Sequence, residues 1–562
     1  MRLVPKWEMM EIELITEGEF VNPFLEIEVR AEFFTEGIER TVDGFYDGKK
    51  NGGHIWKIRF APMKEGSWNC VIRSNWKAFD GRREEFFCTQ PVSRGGLTID
   101  RRFPNWFARE DGSYQMIRNE GWYPHPCNGF DREYERRDFQ QPGEDDMKMY
   151  LQMLADHKIN FMIDIGQLYA RQSQITDTSF RWPWKVVDPQ TNKIDKDFFN
   201  LDYYQRMDRF LRYAMEREIF FGMEILYDNS IVRQDEWSHH PLNVKNGGWL
   251  EDNEYKTGWG VMFDLQNRVH MEYMERYVRY TVARFGAFRN VVWAIGSEIG
   301  NLLIADESSI ENAAFPIQTA SDWYNYWGEY IARIDAHGRL RSLGDTGRIH
   351  EMIDSGQNNF NITQDPRNNY YPMGDLEACF RAVNRFGEDF WDYGKPTVVG
   401  EMTSSTVGEY GAERRLYWIG FVSGLCMGRA DRHFGPVIQG RLIESEIFGF
   451  DGIPVIYDDI RRMADFVESR KVSFWRMRPN DRLLEKKEED DMIYCLSEPQ
   501  KEYLIYFVRG GEIKVELPEC EFEWYQPGTG ESRERGSLSG GKSHFKAPDC
   551  QDWVLYIKEK CG

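Results

Sequence analysis

The chain has 562 residues, of which 41% are hydrophobic and 15% aromatic, so it carries enough apolar side chains for a large folded core. Its 71 Lys and Arg residues against 92 Asp and Glu residues give a formal net charge of −21, which argues against nucleic acid and anionic membranes as partners. No run of about 18 apolar residues is present, so the sequence predicts no membrane-spanning helix.

The cysteines and the first residues predict a compartment. There are nine cysteines, an odd number without a C-x-x-C pair, and this does not predict a disulfide framework. Residues 1–8 contain no apolar signal core. We therefore expect a cytoplasmic protein whose thiols are reduced and mostly buried.

The first part of the chain, residues 1–95, alternates apolar and polar side chains, for example over 24–33 and 55–60. A period of two is typical of half-buried strands, and turns with Gly and Asp separate them. We predict an N-terminal β-sandwich over residues 1–95.

In the middle part, residues 96–478, short apolar runs alternate with longer helical stretches. Strands are expected to begin near residues 114, 160, 219, 290, 341, 360, 396 and 423, with helices such as 145–158, 202–217, 264–286 and 321–337 between them. This alternation predicts βαβ units, and eight strands predict an α/β fold of the (β/α)₈ TIM-barrel type. A doubly wound sheet is the alternative, but the Gly-rich turn expected after its first strand is absent.

In the last part, residues 479–562, apolar and polar side chains alternate again, which predicts a small antiparallel β domain. A charged run at 485–491 is interpreted as a solvated connection. Residues 536–543 fit the pattern G-x-x-x-x-G-K-[ST] of a phosphate-binding loop. Because charged residues precede this stretch and Pro548 follows where a helix would be needed, we interpret it as a flexible hairpin loop.

Two carboxylates carry the functional prediction. Glu298 ends the apolar run 290–298, and Glu401 ends the run 395–401, so each acid directly follows a predicted buried parallel strand. In a barrel such acids lie at the carboxyl ends of the strands, where catalytic groups gather. Cleavage of a glycosidic bond needs two acids, one protonated and one ionised. A single Glu at the end of a strand more often caps a helix or pairs with Arg. Two such acids, after the fourth and the seventh predicted strands, instead predict a glycosidase site.

The two runs resemble the acid/base and nucleophile motifs of the clan-A retaining glycoside hydrolases, which are (β/α)₈ barrels of cellulase-like and apiosidase-like type. The resemblance extends to the flanking regions. Residues 7–70 are similar to an uncharacterised β-sandwich domain found before such barrels, and residues 492–560 are similar to a small β domain that follows them. The resemblance implies that Glu298 is the acid/base and Glu401 the nucleophile, with no cofactor.

One residue departs from the clan pattern. The clan usually has Asn directly before the acid/base Glu, where its amide binds the sugar 2-hydroxyl, and this chain has Ser297. A hydroxyl is shorter and offers different hydrogen-bond donors. The sugar type therefore does not follow from the resemblance.

Further polar and aromatic side chains follow the predicted strands and could line a sugar pocket, since rings stack on sugar faces and polar groups bind hydroxyls. The candidate substrate-binding residues are Trp122, Gln167, Tyr169, Asp228, Ser297, Asp365, Tyr370 and His433. Trp122 is placed just after the first predicted strand. The segment 229–259, with three Trp residues, is expected to form a pocket wall or lid. His239 and His240 within it are interpreted as loop surface or pocket lining, and the scattered histidines predict no metal site.

The sequence thus predicts a retaining glycoside hydrolase that cleaves an O-glycosidic bond in oligosaccharides derived from plant or microbial polysaccharide. A transglycosidase that uses the same acids and a non-catalytic carbohydrate-binding barrel are the alternatives. The expected partner is an oligosaccharide, without cofactor, metal, nucleic acid or membrane. The sugar, the linkage, endo or exo action and the oligomeric state, including a homo-oligomer, stay open.

Overall fold

The structure is a computed structural model. It describes residues 1–123, 143–164, 182–188, 191, 193–227, 231, 234–254, 256–296, 317–344, 350–363, 375–400, 411–430, 434–438, 441–444 and 455–560.

The N-terminal region forms two β-sheets around one hydrophobic core. The strands of the first sheet are Arg2–Pro5, Arg83–Thr89, Gly66–Ser74, Val29–Thr35 and Ile38–Asp43, in spatial order, and those of the second are Met10–Thr16, Gly53–Phe60 and Phe45–Lys50. Arg2–Pro5 runs parallel to its neighbour, and the other pairs are antiparallel. Phe33 of the first sheet stacks on Phe60 of the second at 4.0 Å, so the inward residues of both sheets share the core.

The predicted strand over 24–33 is only partly correct. Residues Pro23–Glu26 form a short helix, and the strand begins at Val29. The Asn22 side chain accepts a hydrogen bond from the backbone N–H of Phe24, and Pro23 follows the cap. Asn at the cap and Pro at the first helical position favour this helix over an extended chain.

Among the described residues of the central region, eight strands run parallel to a neighbouring strand. They are Asn119–Tyr123, Phe161–Asp164, Phe220–Tyr227, Val291–Gly296, Arg341–Ser342, Asn361–Thr363, Thr397–Val399 and Gly428–Ala430. Six of them form one sheet, in the order fifth, fourth, third, second, first, eighth, and the sixth pairs with the seventh. A bridge between Val398 and Cys426 joins the seventh strand to the segment before the eighth. Asn359 N–H donates to the carbonyl of Arg341 at 2.7 Å, which joins the segment before the sixth strand to the fifth.

Helices separate these strands and bury their apolar faces against them. The longer described ones are Glu144–Asp156, Leu201–Glu216, Arg268–Phe285, Ile317–Ile334, Leu376–Trp391, Ala412–Val422 and Val455–Ser469. The four helices named from the sequence match the first four of these within a few residues. Among the described helices, none is long and apolar enough to cross a membrane.

The first strand is displaced from its predicted start near 114. Residues Tyr114–Gln115 pair antiparallel with Phe107–Arg109, which also pairs with Leu97–Ile99. The first parallel strand begins at Asn119. Trp122 therefore lies inside this strand and not just after it.

Two hairpins are inserted in the central region. Their strands are Trp184–Asp188 with Lys193–Phe199, and Phe434–Ile438 with Arg441–Glu444.

The C-terminal region forms one antiparallel sheet with its own core. Its strands are Arg478–Pro479, Glu485–Lys486, Ile493–Glu498, Glu502–Phe507, Glu512–Gln526, Glu531–Lys546 and Trp553–Glu559. The interpretation of 536–543 as a flexible loop is wrong, because these residues lie within the strand Glu531–Lys546. That strand pairs only with Glu512–Gln526 and is exposed over most of its length, so its residues do not show a clear apolar alternation.

The central and C-terminal regions are joined by buried ion pairs. Arg414, on the helix Ala412–Val422, donates to the carboxylate of Asp552 through Nε at 3.0 Å and Nη2 at 2.8 Å. Arg414 also lies 3.5 Å from Asp459, whose burial raises its pKa to about 6. The bidentate geometry fixes the orientation of this helix on the C-terminal sheet.

Labelling of the cysteines tests the expectation of reduced thiols. Six of the seven described cysteines are buried, and Cys550 is exposed. Burial raises the pKa of Cys70 to about 12 and that of Cys88 to about 11, so these thiols are protonated and poor nucleophiles at neutral pH. We expect a thiol reagent to label Cys550 rapidly in the native protein, and Cys550→Ser to remove that rapid reaction. After unfolding without reductant, all nine thiols should react, and a shortfall of two or more would indicate a disulfide and contradict the expectation.

Candidate active site

The fourth and seventh parallel strands, which precede the two predicted acids, run in the same direction. The fourth strand ends at Gly296, two residues before Glu298, and the seventh strand ends at Val399, two residues before Glu401. The fourth strand is joined through the third, second and first strands to the eighth by parallel pairing, and the parallel bridge of Val398 to Cys426 joins the seventh strand to the segment before the eighth. The carboxyl ends of the fourth and seventh strands therefore point the same way. Glu298 and Glu401 themselves lie outside the described residues.

Contacts of the fourth strand establish which of its faces looks inward. Trp293 is fully buried, and its indole Nε1 donates to Asp335 Oδ2 at 3.0 Å, just after the helix Ile317–Ile334. Trp293 thus points toward the helical layer. Because side chains alternate along a strand, Val292 and Ala294 face the opposite, inner side.

The seventh strand is fixed from both sides up to the residue before Glu401. Gly400 N–H donates to the carbonyl of Thr363 at 2.6 Å, and Asn119 Nδ2 donates to the carbonyl of Val399 at 3.1 Å. A Cβ atom at Gly400 would lie 3.4 Å from Ile163, which shows how tightly the inner residues pack here. The backbone up to Gly400 is therefore held by hydrogen bonds with the strands on both sides.

A third carboxylate, Glu224, was missed from the sequence. It lies on the third strand, is 1% exposed and is in register with Ala294 of the fourth strand. Phe221 of the same strand contacts Phe210 of the helical layer, so alternation places Glu224 on the inner side. The available signal was a single acid inside the apolar run 219–226. A buried carboxylate needs partners or a proton, and one below the carboxyl edge can influence charges there.

A fourth acid, Glu120, is also buried but faces the other way. It is 0% exposed and is in register with Met162 and Arg429 on the neighbouring strands. Met162 is in turn in register with Phe221, which points toward the helices. Glu120 thus belongs to the layer between strands and helices and not to the inner side.

The insertion 229–259 packs its aromatic residues into its own core. Trp237 is 0% exposed and donates from Nε1 to Asp252 at 3.1 Å. Trp249 donates from Nε1 to Nδ1 of His270 at 3.0 Å, and burial lowers the pKa of His270 to about 4, so this imidazole is neutral and can accept. His240 is also fully buried, so its interpretation as loop surface or pocket lining is wrong. Trp237 is therefore hydrogen-bonded within the segment, whereas the half-buried Trp249 is hydrogen-bonded to the helix Arg268–Phe285.

The other predicted site residues lie outside the described residues. They are Gln167, Tyr169, Asp228, Ser297, Asp365, Tyr370 and His433. Trp122 is described as part of the first strand. In the described part of the chain, no group of three or more His, Cys, Asp and Glu side chains is arranged to hold a metal ion.

Three family profiles match consecutive parts of the chain. Residues 3–75 match a domain of unknown function, DUF5060. Residues 138–365 match the family "Apiosidase-like, catalytic domain". Residues 479–558 match the family "Putative collagen-binding domain of a collagenase".

Solved structures match the chain over most or all of its length. The crystal structure of "a putative glycoside hydrolase" from Bacteroides vulgatus ATCC 8482 is 15% identical, with a TM-score of 0.65, and the match covers 100% of both chains. A glycoside hydrolase family 5 structure from the same organism is 14% identical, with a TM-score of 0.53, over 83% of this chain and 94% of that one. At such identities the likeness concerns the fold. No curated protein matches the chain.

Proposed function

We propose that this chain, a glycoside hydrolase with an apiosidase-like catalytic domain, cleaves its glycosidic bond with retention of anomeric configuration, using Glu401 as nucleophile and Glu298 as acid/base. The prediction of a glycoside hydrolase is confirmed by the family match. One observation supports the assignment of Glu401 and Glu298 to these roles. The fourth and seventh parallel strands each end two residues before one of the two acids.

We also propose that the eight parallel strands close into a (β/α)₈ barrel. Support comes from the links between the two sheets, namely the bridge of Val398 to Cys426 and the hydrogen bond from Asn359 to Arg341. With these links each strand has a neighbour on both sides in chain order, and the eighth also pairs with the first, which supports the proposal of a closed barrel. A barrel brings side chains from the ends of strands four and seven together over its axis.

In this mechanism the two acids have different tasks. Glu401 attacks the anomeric carbon while Glu298 donates a proton to the departing glycosidic oxygen, and a glycosyl-enzyme ester forms. Glu298 then removes a proton from water, which attacks the anomeric carbon and releases Glu401. Direct attack by Glu401 requires the carboxyl groups to be about 5–5.5 Å apart. Two like charges at this distance favour a single ionised form, which keeps Glu298 protonated while Glu401 is charged and gives a bell-shaped pH profile.

The substrate we propose is an oligosaccharide derived from plant or microbial polysaccharide. The name of the matching family adds apiose-bearing glycosides to the candidates. Ser297 stands where related enzymes carry an amide, so a pocket without the usual 2-hydroxyl contact fits a sugar of different shape. A panel of nitrophenyl glycosides, apiosides and plant oligosaccharides is the direct screen.

The anomeric configuration of the first product tests the retaining mechanism. With a substrate from this screen, we expect NMR to detect the same anomer in the first-formed product as in the substrate, before mutarotation. With an added sugar acceptor, a minor transfer product of the same configuration is also expected. An inverted first product would exclude a glycosyl-enzyme and contradict the proposal. Transfer that predominates over hydrolysis at low acceptor concentration would identify a transglycosidase instead.

A further inference from the structure

A large cleft lies between the central region and the start of the C-terminal sheet, away from the carboxyl edge of the strands. It measures about 1070 Å³ and is lined by the last turns of the helix Leu376–Trp391, the residues after that helix, and the segment 478–482. The residues after the helix lead into the amino end of the seventh strand, whereas Glu401 follows the carboxyl end of that strand. The cleft and the proposed catalytic site therefore occupy opposite ends of the central region.

Charged side chains of both signs line this cleft, and Arg385 and Asp389 on the wall of the central region pair with each other at 3.9 Å. Glu388 and Asp392 belong to the wall of the central region, and Arg478 and Arg482 belong to the segment that begins the C-terminal sheet. All four residues are exposed. Within the described chain, none of the four has an ion pair within 4 Å or a side-chain hydrogen bond. The donors and acceptors of these four side chains are therefore available to a molecule placed between the walls.

Two aromatic side chains complete the lining. Trp391 and Tyr393 are half-buried and border the cleft. The carbonyl of Trp391 accepts a hydrogen bond from Asn105 Nδ2 at 2.6 Å, and its ring contacts Trp106 edge-on at 6.1 Å. The Tyr393 ring packs on Phe390 at 5.7 Å. These contacts fix the rings before any ligand arrives, which lowers the entropic cost of binding.

The two walls are also fixed relative to each other. Asp481, between the two arginines, accepts hydrogen bonds from the backbone N–H of Cys495 at 2.6 Å and from Asn384 Nδ2 of the helix at 3.3 Å. This carboxylate therefore connects the helix to the C-terminal sheet at the edge of the cleft. A rigid cleft of this size is large enough for several sugar rings.

We propose that this cleft is a second carbohydrate site, which binds a segment of oligosaccharide at a distance from the catalytic centre. A sugar ring has apolar faces that stack on aromatic rings and a rim of hydroxyls that both donate and accept. The cleft offers both kinds of contact, and its opposed Arg and carboxylate groups suit a neutral polyhydroxylated ligand better than an ion. The choice of carbohydrate as the ligand class rests on the proposed function.

Binding to the full chain in which Glu401→Gln blocks turnover tests this site. The probes are soluble hexasaccharides of cellulose, mannan and xylan and a mixed pectic oligosaccharide fraction, measured by calorimetry. We expect at least one probe to bind, and R478A/R482A and Y393A each to weaken that binding at least about tenfold, the loss expected when ligand contacts of about 1.4 kcal/mol are removed. The control K77A/R83A removes two exposed positive charges from the N-terminal sheets and should leave binding unchanged.

Measurements of hydrolysis distinguish a failure of the second site from a failure of the proposed function. In the otherwise unaltered enzyme, R478A/R482A should keep the kcat/KM of a nitrophenyl monoglycoside and lose efficiency only on long oligosaccharides. If no probe binds, or if binding persists unchanged in both R478A/R482A and Y393A, the second site is overturned even when hydrolysis is normal. If the cleft binds a probe but no glycoside is hydrolysed, the proposed function fails and the second site stands.

Discussion

Glu401→Ala is expected to reduce hydrolysis of every glycoside by roughly 10³-fold or more, because removal of a nucleophile removes the covalent route. Glu298→Ala should lose about 10²–10⁴-fold on substrates with a poor leaving group, which is the range for a general acid. It should retain much more activity on dinitrophenyl glycosides, whose leaving group departs without a proton. Initial rates on a matched pair of such substrates measure the difference.

Azide distinguishes the two carboxylates further. In Glu298→Ala, the glycosyl-enzyme still forms on an activated substrate, and azide can attack it without help from a general base. If the natural bond is β, the product should be a β-glycosyl azide, because inversion at each of the two displacements gives net retention. Glu401→Ala cannot form this intermediate, so it should give no retained azide product.

An exposed acid of the inserted segment provides the control. Glu254 is exposed and distant in sequence from both strand ends, so Glu254→Ala should keep wild-type rates. Near wild-type turnover by Glu401→Ala would show that the nucleophile has been assigned to the wrong residue. Equal losses by Glu298→Ala on good and poor leaving groups would remove the acid/base role from Glu298.

Local patterns of the sequence predicted the layered architecture well. The helix predicted over 202–217 is observed at Leu201–Glu216, and the apolar runs near 219 and 290 are observed as the strands Phe220–Tyr227 and Val291–Gly296. These elements combine a clear period with strong end signals, such as the Asn200 cap that accepts from Tyr203 N–H. The period and the capping residues of an element lie within one segment of the chain, so the sequence of that segment alone predicts the element.

Features that depend on distant contacts could not be predicted in the same way. Glu224 looks like part of an apolar run, and only the register with the fourth strand shows that it faces inward. The expectation that the insertion 229–259 forms a pocket wall stays a prediction, but the partners of its indoles, Asp252 for Trp237 and His270 for Trp249, depend on contacts that the local pattern does not show. The strand Glu531–Lys546 pairs on one side only, so its sequence resembles a loop.

The buried cluster between the N-terminal sheets and the central region is another long-range feature. Arg59 of the N-terminal region donates to Asp208 through Nη1 at 2.5 Å and Nη2 at 3.0 Å. Arg284 donates to the same carboxylate through Nε at 3.1 Å and to Asp47 through Nη2 at 2.8 Å. Both arginines are at most 1% exposed, and Asp208 is 7% exposed. Asp208 is thus shared by two buried guanidinium groups, of which Arg59 also pairs with Glu11 at 2.9 Å and Arg284 also pairs with Asp47.

Asp208→Asn should therefore destabilise the contact between these two regions strongly. The variant keeps the shape of the side chain but removes the charge that compensates two buried cations, and breaking a buried ion pair from one side costs about 3–5 kcal/mol. We expect the midpoint of the first unfolding transition in urea at pH 7 to fall accordingly. Hydrogen exchange should localise the change to the helices Leu201–Glu216 and Arg268–Phe285 and to the strand Gly53–Phe60.

The pair of Asp43 and Arg279 provides a matched control at the same interface. Arg279 Nε and Nη2 donate to this carboxylate at 2.7 and 2.9 Å, but the arginine side chain is 51% exposed. Water compensates an exposed charge, so Asp43→Asn should cost no more than about 1 kcal/mol. The difference between the two variants isolates the effect of burial from the effect of the bidentate geometry.

The pH dependence of the Asp208 effect has a defined sign. The two arginines lower the pKa of Asp208 to about 2 against the opposing effect of burial, while the ordinary value of an aspartate is 3.8. Because the folded value lies below the unfolded one, the stabilisation is complete above about pH 4 and is lost as the pH falls through 2. The difference in unfolding free energy between wild type and Asp208→Asn should thus be constant from pH 5 to 8 and should shrink below about pH 4. Two results would show that Asp208 does not compensate the two buried arginines. One is a difference in unfolding free energy between wild type and Asp208→Asn that grows on acidification. The other is a destabilisation by Asp208→Asn at pH 7 that is no larger than that caused by Asp43→Asn.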